Sequence, residues 1–133
     1  MGLTIYMDDR GWSYHDIFGE LKGGQINFSI VYPGIVKAWH RHRYQTDYFF
    51  VLFGEAQVAT YDPKTSKTET YFIGEHNPVV LKIPAGLWHG FTPLGGKPCG
   101  LLYYMTRRYN PKKPDEERAP WDAFGYDWSP KSR

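Results

Sequence analysis

Helical periodicity is almost absent from this sequence of 133 residues, and so are most features that would direct it to a membrane, a nucleic acid or an oxidising compartment. A single cysteine, Cys99, excludes an internal disulfide. It stands between Pro98 and Gly100 with no histidine near it in sequence, so it reads as packing rather than as a nucleophile. No apolar run is long enough to span a bilayer, and residues 1–10 carry no signal-peptide pattern, so no membrane contact is expected and the cytoplasm is the expected compartment. Charge of one sign is also scarce. A net charge of +2 with neutral histidines supplies neither the basic stripe of a nucleic-acid groove nor a membrane-surface patch. There is no linker, internal repeat or low-complexity tract, and the length suits one domain over residues 1–133 with one core.

What the chain does have is aromatic residues, at 18%, and turn formers. Fourteen glycines and ten prolines are spread along it as punctuation between short strands. Gln25–Val31 alternates polar and apolar residues and reads as a strand, followed by a Pro33-Gly34 turn and a short strand over 35–39 that ends at His40. Residues 48–53 form a nearly continuous apolar run stopped by Gly54, as expected of a strand buried on both faces. Further strands are predicted over 55–61, 67–73, 79–83, 88–92 and 100–106, with turns at Asp62-Pro63-Lys64 and Pro84-Ala85-Gly86. The tail, 109–133, is rich in proline, tryptophan and aspartate. It suits neither a strand nor a long helix, and its aromatics predict that it wraps over the domain as one wall of a pocket. Many short strands with regular turns make an all-β sandwich or barrel, and a jelly roll fits the length.

The chemistry-bearing residues gather in two places. His40 and His42, one residue apart on a strand, project to one face because the side-chain period is two, and Asp47 at the start of the next strand returns to that face. The turn Pro84-Ala85-Gly86 then delivers His89. Three imidazoles and a carboxylate, His40, His42, Asp47 and His89, suit one divalent transition metal; alternatively His42 and Asp47 only hydrogen-bond near the mouth. The cations Lys37, Arg41 and Arg43 interleave with the two histidines, either as solvated loop charge or as contacts for an anion or a sugar phosphate.

These spacings resemble the two cupin motifs, G-x5-H-x-H-x4-E-x6-G and P-x-G-x2-H, with Asp47 where the glutamate usually stands. The resemblance implies an all-β cupin jelly roll. A second resemblance covers most of the chain. Asp9-Arg10-Gly11-Trp12, Gln25-Ile26-Asn27-Phe28-Ser29, and the run from Pro33-Gly34 through Lys37 to His40 are similar to blocks of the dTDP-4-dehydrorhamnose 3,5-epimerase family. So are Ile83-Pro84-Ala85-Gly86-Leu87-Trp88-His89-Gly90-Phe91, then Leu102-Tyr103-Tyr104 through Tyr109 to Pro111, and the tail from Trp121-Asp122 to Asp127-Trp128.

That second resemblance implies an isomerase of carbohydrate biosynthesis. Such an enzyme inverts a centre alpha to the keto group of a nucleoside-diphosphate 4-keto-6-deoxy sugar, with no metal or organic cofactor. Its partners would be a nucleotide-linked sugar and a second subunit, the homodimer being completed by strand exchange. By the same resemblance His40 is the base, oriented by Asp122 or else by Asp127. Tyr103 is the acid, and His89 helps hold the enolate oxygen. Arg10, Gln25, Asn27 and Lys37 lie near the phosphates and sugar, and Tyr109 contacts the base or the sugar. A histidine suits proton abstraction because its unperturbed pKa is about 6.5.

Three positions depart from the family, the first being Lys37, a point charge in place of its arginine fork. Asp47 stands where the family has a lysine that supplies positive charge for the enolate, so a carboxylate there needs protonation, a salt bridge to Arg41 or Arg43, or a metal. The family's H-x-Q becomes His40-Arg41-His42, which adds an imidazole. The rival expectations are a metal-dependent cupin acting as isomerase or dioxygenase through His40, His42, Asp47 and His89, and a carbohydrate-binding cupin without catalysis.

Overall fold

The computed structural model describes residues 3–130. Eleven strands and no helix occur among them: β1 Ile5–Asp8, β2 Gly11–Tyr14, β3 Gln25–Val31, β4 Lys37–Arg41, β5 Asp47–Phe53, β6 Glu55–Asp62, β7 Lys67–Gly74, β8 Leu81–Ile83, β9 Trp88–Pro93, β10 Cys99–Met105 and β11 Glu117–Arg118. A four-stranded sheet in the order β3-β10-β5-β8 faces a five-stranded sheet in the order β11-β4-β9-β6-β7, and β1-β2 is a separate hairpin. All pairings are antiparallel, as in a jelly roll.

The main core lies between the two large sheets. Val31, Phe49, Val51, Ile83 and Leu101 come from one sheet, and Val58, Ile73 and Phe91 from the other. The period-two rule explains how a site grows out of this core. The inward face of β5 reads Val51, Phe49, Asp47, and that of β9 reads Phe91, His89, so the same face that is apolar in the interior turns polar at one end. The run in β5 is buried on its other face as well: Phe50 is fully buried and meets Tyr14 of the hairpin edge-on at 5.1 Å. Between β5 and β6, Gly54 has a φ of +76° and its Cα lies close against Pro98 and Cys99, a place where a side chain does not fit.

Strand β4 carries a bulge. It pairs Lys37 with Phe91 and His40 with His89, so that Ala38 and Trp39 stand against the single Gly90 and one residue is extra on β4. Ala38 and Trp39 therefore both pack outward, while Lys37 and His40 both line the cavity, which a regular strand would place on opposite faces. The strand begins at Lys37 rather than Ile35, because the backbone of Ile35 closes a turn onto Tyr32 and its carbonyl accepts from Thr92 Oγ1. Strand β8 is likewise shorter than expected, starting at Leu81.

The tail does two things in succession. Its first part, from Arg107 to Arg118, forms a strap over one end of the sandwich. Beyond Ala119, whose N–H and C=O both bond to Trp39, it crosses the outer face of the five-stranded sheet. There Phe124, Tyr126 and Trp128 surround the fully buried Trp39 at ring distances of 5.3, 5.9 and 5.3 Å, and Phe124 stacks on Tyr61 at 4.3 Å. The Trp39 indole N–H donates to the Trp121 carbonyl at 3.0 Å. The tail thus seals an apolar face that a strand pattern alone leaves open.

Candidate active site

A cavity of about 830 Å³ opens between the sheets and under the strap. Asp47, His42 and His89 form its floor. Asp47 is 4% exposed and His89 is also 4% exposed. Asp47 Oδ2 lies 3.3 Å from His42 Nε2 and 3.5 Å from His89 Nε2, and Gln45 donates to Oδ1 at 2.6 Å. The other ring nitrogens face backbone carbonyls: His42 Nδ1 sits 2.6 Å from the Asp115 oxygen and His89 Nδ1 3.3 Å from the Leu87 oxygen. A carbonyl only accepts, so each Nδ1 carries a proton and each Nε2 is turned to the carboxylate. Burial works against ionisation of Asp47, but the hydrogen bonds and charges of His42 and His89 outweigh it and hold the carboxyl well below the usual carboxylate range. Burial also works against charge on His42, and its bonds to Asp47 and to the Asp115 carbonyl outweigh that, raising its pKa. The carboxylate of Asp47 is thus held by two imidazoles and the Gln45 amide, and by no arginine. Arg41 instead pairs with Glu117 at 2.8 Å and lies over the Trp88 ring.

His40 stands beside this group rather than in it. Its Nδ1 meets Glu116 Oε1 at 2.8 Å, and its ring is 6.3 Å from that of His89. Burial lowers the His40 pKa by more than the Glu116 hydrogen bond and charge raise it. Arg118 and His40 in turn hold the Glu116 carboxyl below its ordinary value, against the effect of burial. With Nδ1–H committed to a carboxylate, Nε2 is the nitrogen left for chemistry. Tyr103 lines the same cavity from the opposite sheet, where β10 pairs it with Asn27 and Phe49. Base and acid candidates therefore stand on facing walls.

The resemblance-derived contacts divide into two groups. Lys37 and Tyr109 line the cavity. Gln25 and Asn27 support it: Gln25 donates to Asn27 at 2.9 Å, Asn27 donates to the Tyr103 hydroxyl at 3.3 Å, and the Gln25 amide oxygen accepts the Tyr109 N–H at 3.0 Å. Arg10 is elsewhere, at the turn of the β1–β2 hairpin and bound to Asp8. Asp122 is exposed on the outer side of the molecule and does not reach His40, and Asp127 caps its own turn at Ser129. The carboxylate that orients His40 is Glu116, in place of the expected Asp122, because the strap pairs β11 with β4 and sets Arg118 opposite His40. The run Asp115-Glu116-Glu117 was the signal for it. Asp115 was also unforeseen: its carboxylate accepts the backbone N–H groups of Arg43, Tyr44 and Gln45 at 2.7 to 2.9 Å and fastens the strap to the β4–β5 loop.

An all-β jelly roll whose mouth holds imidazoles, carboxylates and a tyrosine on facing sheets defines an enzyme pocket of the cupin kind. The chain matches the family of polysaccharide biosynthesis C-terminal domains over residues 6–117, and it belongs to that family. It is 44% identical to the spore coat polysaccharide biosynthesis protein SpsL of Bacillus subtilis, over 98% of this chain and 94% of that protein. It is 40% identical to the probable low-salt glycan biosynthesis epimerase Agl13 of Haloferax volcanii, over 96% of this chain and 90% of that protein. Among solved structures, a dTDP sugar isomerase from Desulfovibrio desulfuricans G20 is similar with a TM-score of 0.84 and 30% identity, over 95% of this chain and 87% of that one. The dTDP-4-dehydrorhamnose 3,5-epimerase of Sulfolobus tokodaii shares the fold, with a TM-score of 0.80 at 24% identity over 96% of this chain and 78% of that one. The chain is an enzyme of the epimerase type, which sets aside a purely carbohydrate-binding cupin.

Proposed function

We propose that this enzyme inverts a centre alpha to the keto group of a nucleoside-diphosphate 4-keto-6-deoxy sugar. The observation that carries the reading is His40, held by Glu116 through Nδ1 and facing Tyr103 across the cavity. His40 Nε2 takes the alpha proton, and the C–H electron pair moves to the carbonyl oxygen as an enolate. Glu116 stabilises the imidazolium that results. The Tyr103 hydroxyl returns a proton to the opposite face of the carbon, and the two groups re-equilibrate through solvent before the next turnover. Asn27 orients the hydroxyl, and His89 supports the floor beneath the ring. The cytoplasm is its proposed place, where the free thiol of Cys99 stays reduced. His40→Ala should abolish exchange of substrate protons for solvent deuterium while nucleotide binding persists. Deuterium entering at the native rate would exclude His40 as the base.

A second reading is favoured by the floor. One ligand atom each from His42, Asp47 and His89 lies within 4.8 Å of the others, and both Nδ1 protons are fixed on backbone carbonyls, as for residues that hold a divalent metal. Such an ion would polarise the keto oxygen and supply the positive charge that the family obtains from its lysine. His40 stays outside this set because Glu116 holds it, so three of the four expected ligands converge. In this reading, protein purified without a histidine tag contains about one divalent ion per chain by elemental analysis, and both Asp47→Asn and His42→Ala lower that content. Negligible metal in the native protein excludes it and leaves proton abstraction by His40 intact.

A further inference from the structure

We propose that the mouth of the cavity is a diphosphate-binding rim built by Arg43, Arg107 and Lys113, all from the same chain as the catalytic histidine. This rests on the sugar-nucleotide reading above and gives the nucleotide a place. Six lysines and arginines line the cavity against four carboxylates. The four carboxylates are already engaged. Asp47 lies between two imidazoles, Asp115 accepts three backbone N–H groups, Glu116 binds His40 and Arg118, and Glu117 binds Arg41. Two of the cations are engaged as well, Arg118 with Glu116 and Arg108 with the Gly24 carbonyl. The side chains of Lys37, deeper on β4, and of Arg43 and Lys113 at the mouth have no acidic partner among the described residues, and Arg107 rests with its guanidinium carbon 5.2 Å from the centre of the Tyr44 ring.

Their placement follows from the strap. Arg107 stands at its root just past β10, and Lys113 lies on its far limb. Asp115 ties that limb to the backbone of Arg43 itself. Residues far apart in sequence are thereby set around one opening, on loops whose backbone is fixed by hydrogen bonds. Positive charge without a counterion at the mouth of a preformed cavity attracts a polyanion, and guanidinium groups bind phosphate oxygens through charge-assisted hydrogen bonds. The cavity is also polar in one direction. Its rim cations are exposed, His40 and Tyr103 are half-buried, and Asp47 and His89 at the floor are buried. A ligand with two phosphates at one end and an uncharged keto sugar at the other matches that gradient. Arg10, the residue that the sequence motif assigns to the phosphates, is occupied by Asp8 outside this chain's own cavity.

Isothermal calorimetry on the whole protein with dTDP, UDP and inorganic pyrophosphate tests the rim. Native protein should bind pyrophosphate and at least one of the nucleotides, more weakly as salt is added. Arg107→Ala, Lys113→Ala and Arg43→Ala should each weaken both kinds of ligand at least tenfold. They should also retain the native melting temperature, since the three side chains are exposed. Lys64→Ala, at the β6–β7 turn, should bind as the native protein does. Variants that bind the nucleotide with native affinity would place the diphosphate elsewhere and overturn the rim, leaving the sugar-nucleotide reading in force. Pyrophosphate binding that depends on the rim, without binding of either nucleotide, would keep the rim and remove the nucleotide. Absence of all three from the native protein would overturn both.

Discussion

In the proposed reaction, His40 and Glu116 divide the work of a base between them. Burial lowers the pKa of the imidazole, so Nε2 is unprotonated near neutral pH, while the carboxylate 2.8 Å from Nδ1 fixes the tautomer and favours the charge that appears once a proton is taken. Glu116→Gln keeps a hydrogen-bonding group but loses the charge. It should lower kcat by roughly one to two orders of magnitude with KM nearly unchanged, and Glu116→Asp should recover part of the loss. Steady-state kinetics decide this, and a variant with native kcat would reduce Glu116 to a structural contact. At this scale the sequence was legible where neighbours are local. His42, Asp47 and His89 converge as their spacing implies, because strand parity and one turn settle where they point. The acidic run Asp115-Glu116-Glu117 is visible in the sequence, but not the meeting of Glu116 with His40, which spans 76 residues and depends on the path of the strap rather than on any period.

Most strands were legible from alternation and turn residues, because their partners bury one face of each. The elements that were missed have other causes. The β1–β2 hairpin is short and exposed along most of its length, so no burial pattern marks it. The two residues of β11 are strand only because β4 offers them an edge. The bulge in β4 is invisible to a period-two reading, which is the rule it breaks, although the Lys37-to-His40 face of the site depends on it. Trp39 is the element-level keystone. It lies next to His40 in sequence, is fully buried, and is enclosed by the tail. Trp39→Ala should cost about 3–5 kcal/mol of stability, seen as a lower midpoint in denaturant. It should also reduce turnover more than Phe28→Ala does, because it loosens the strand that carries His40. Equal turnover in the two variants would show that the tail cap acts on stability alone.

At the level of the whole molecule, one sheet has an edge that none of the described residues covers. β3 is the outer strand of the four-stranded sheet, and its outward residues Ile26, Phe28 and Ile30 are 48%, 44% and 57% exposed. Tyr6, Met7 and Trp12 of the nearby sequence are exposed as well. A strand edge with apolar side chains and free backbone groups invites another strand. We expect a homodimer, in which the hairpin of one subunit lies against the other and carries its Arg10 there. Light scattering at micromolar concentration should give twice the chain mass, and Phe28→Glu should shift it towards the single chain. A native protein that scatters as one chain would oppose the dimer and leave Arg10 without a part in binding.

Four of the five tryptophans lie along the seam where the tail crosses the five-stranded sheet, Trp39, Trp88 and Trp128 with their rings packed there and Trp121 through its carbonyl, while Trp12 is on the hairpin. The intrinsic fluorescence of this protein should therefore report mainly on one joint. Its blue emission should come from Trp39 and Trp128, which are shielded from water at that joint, and its red shoulder from the exposed Trp12 and Trp121. Because the same stretch of chain continues into the strap that presents Glu116, light emitted on the outside of the sheet reports whether the catalytic face behind it is assembled.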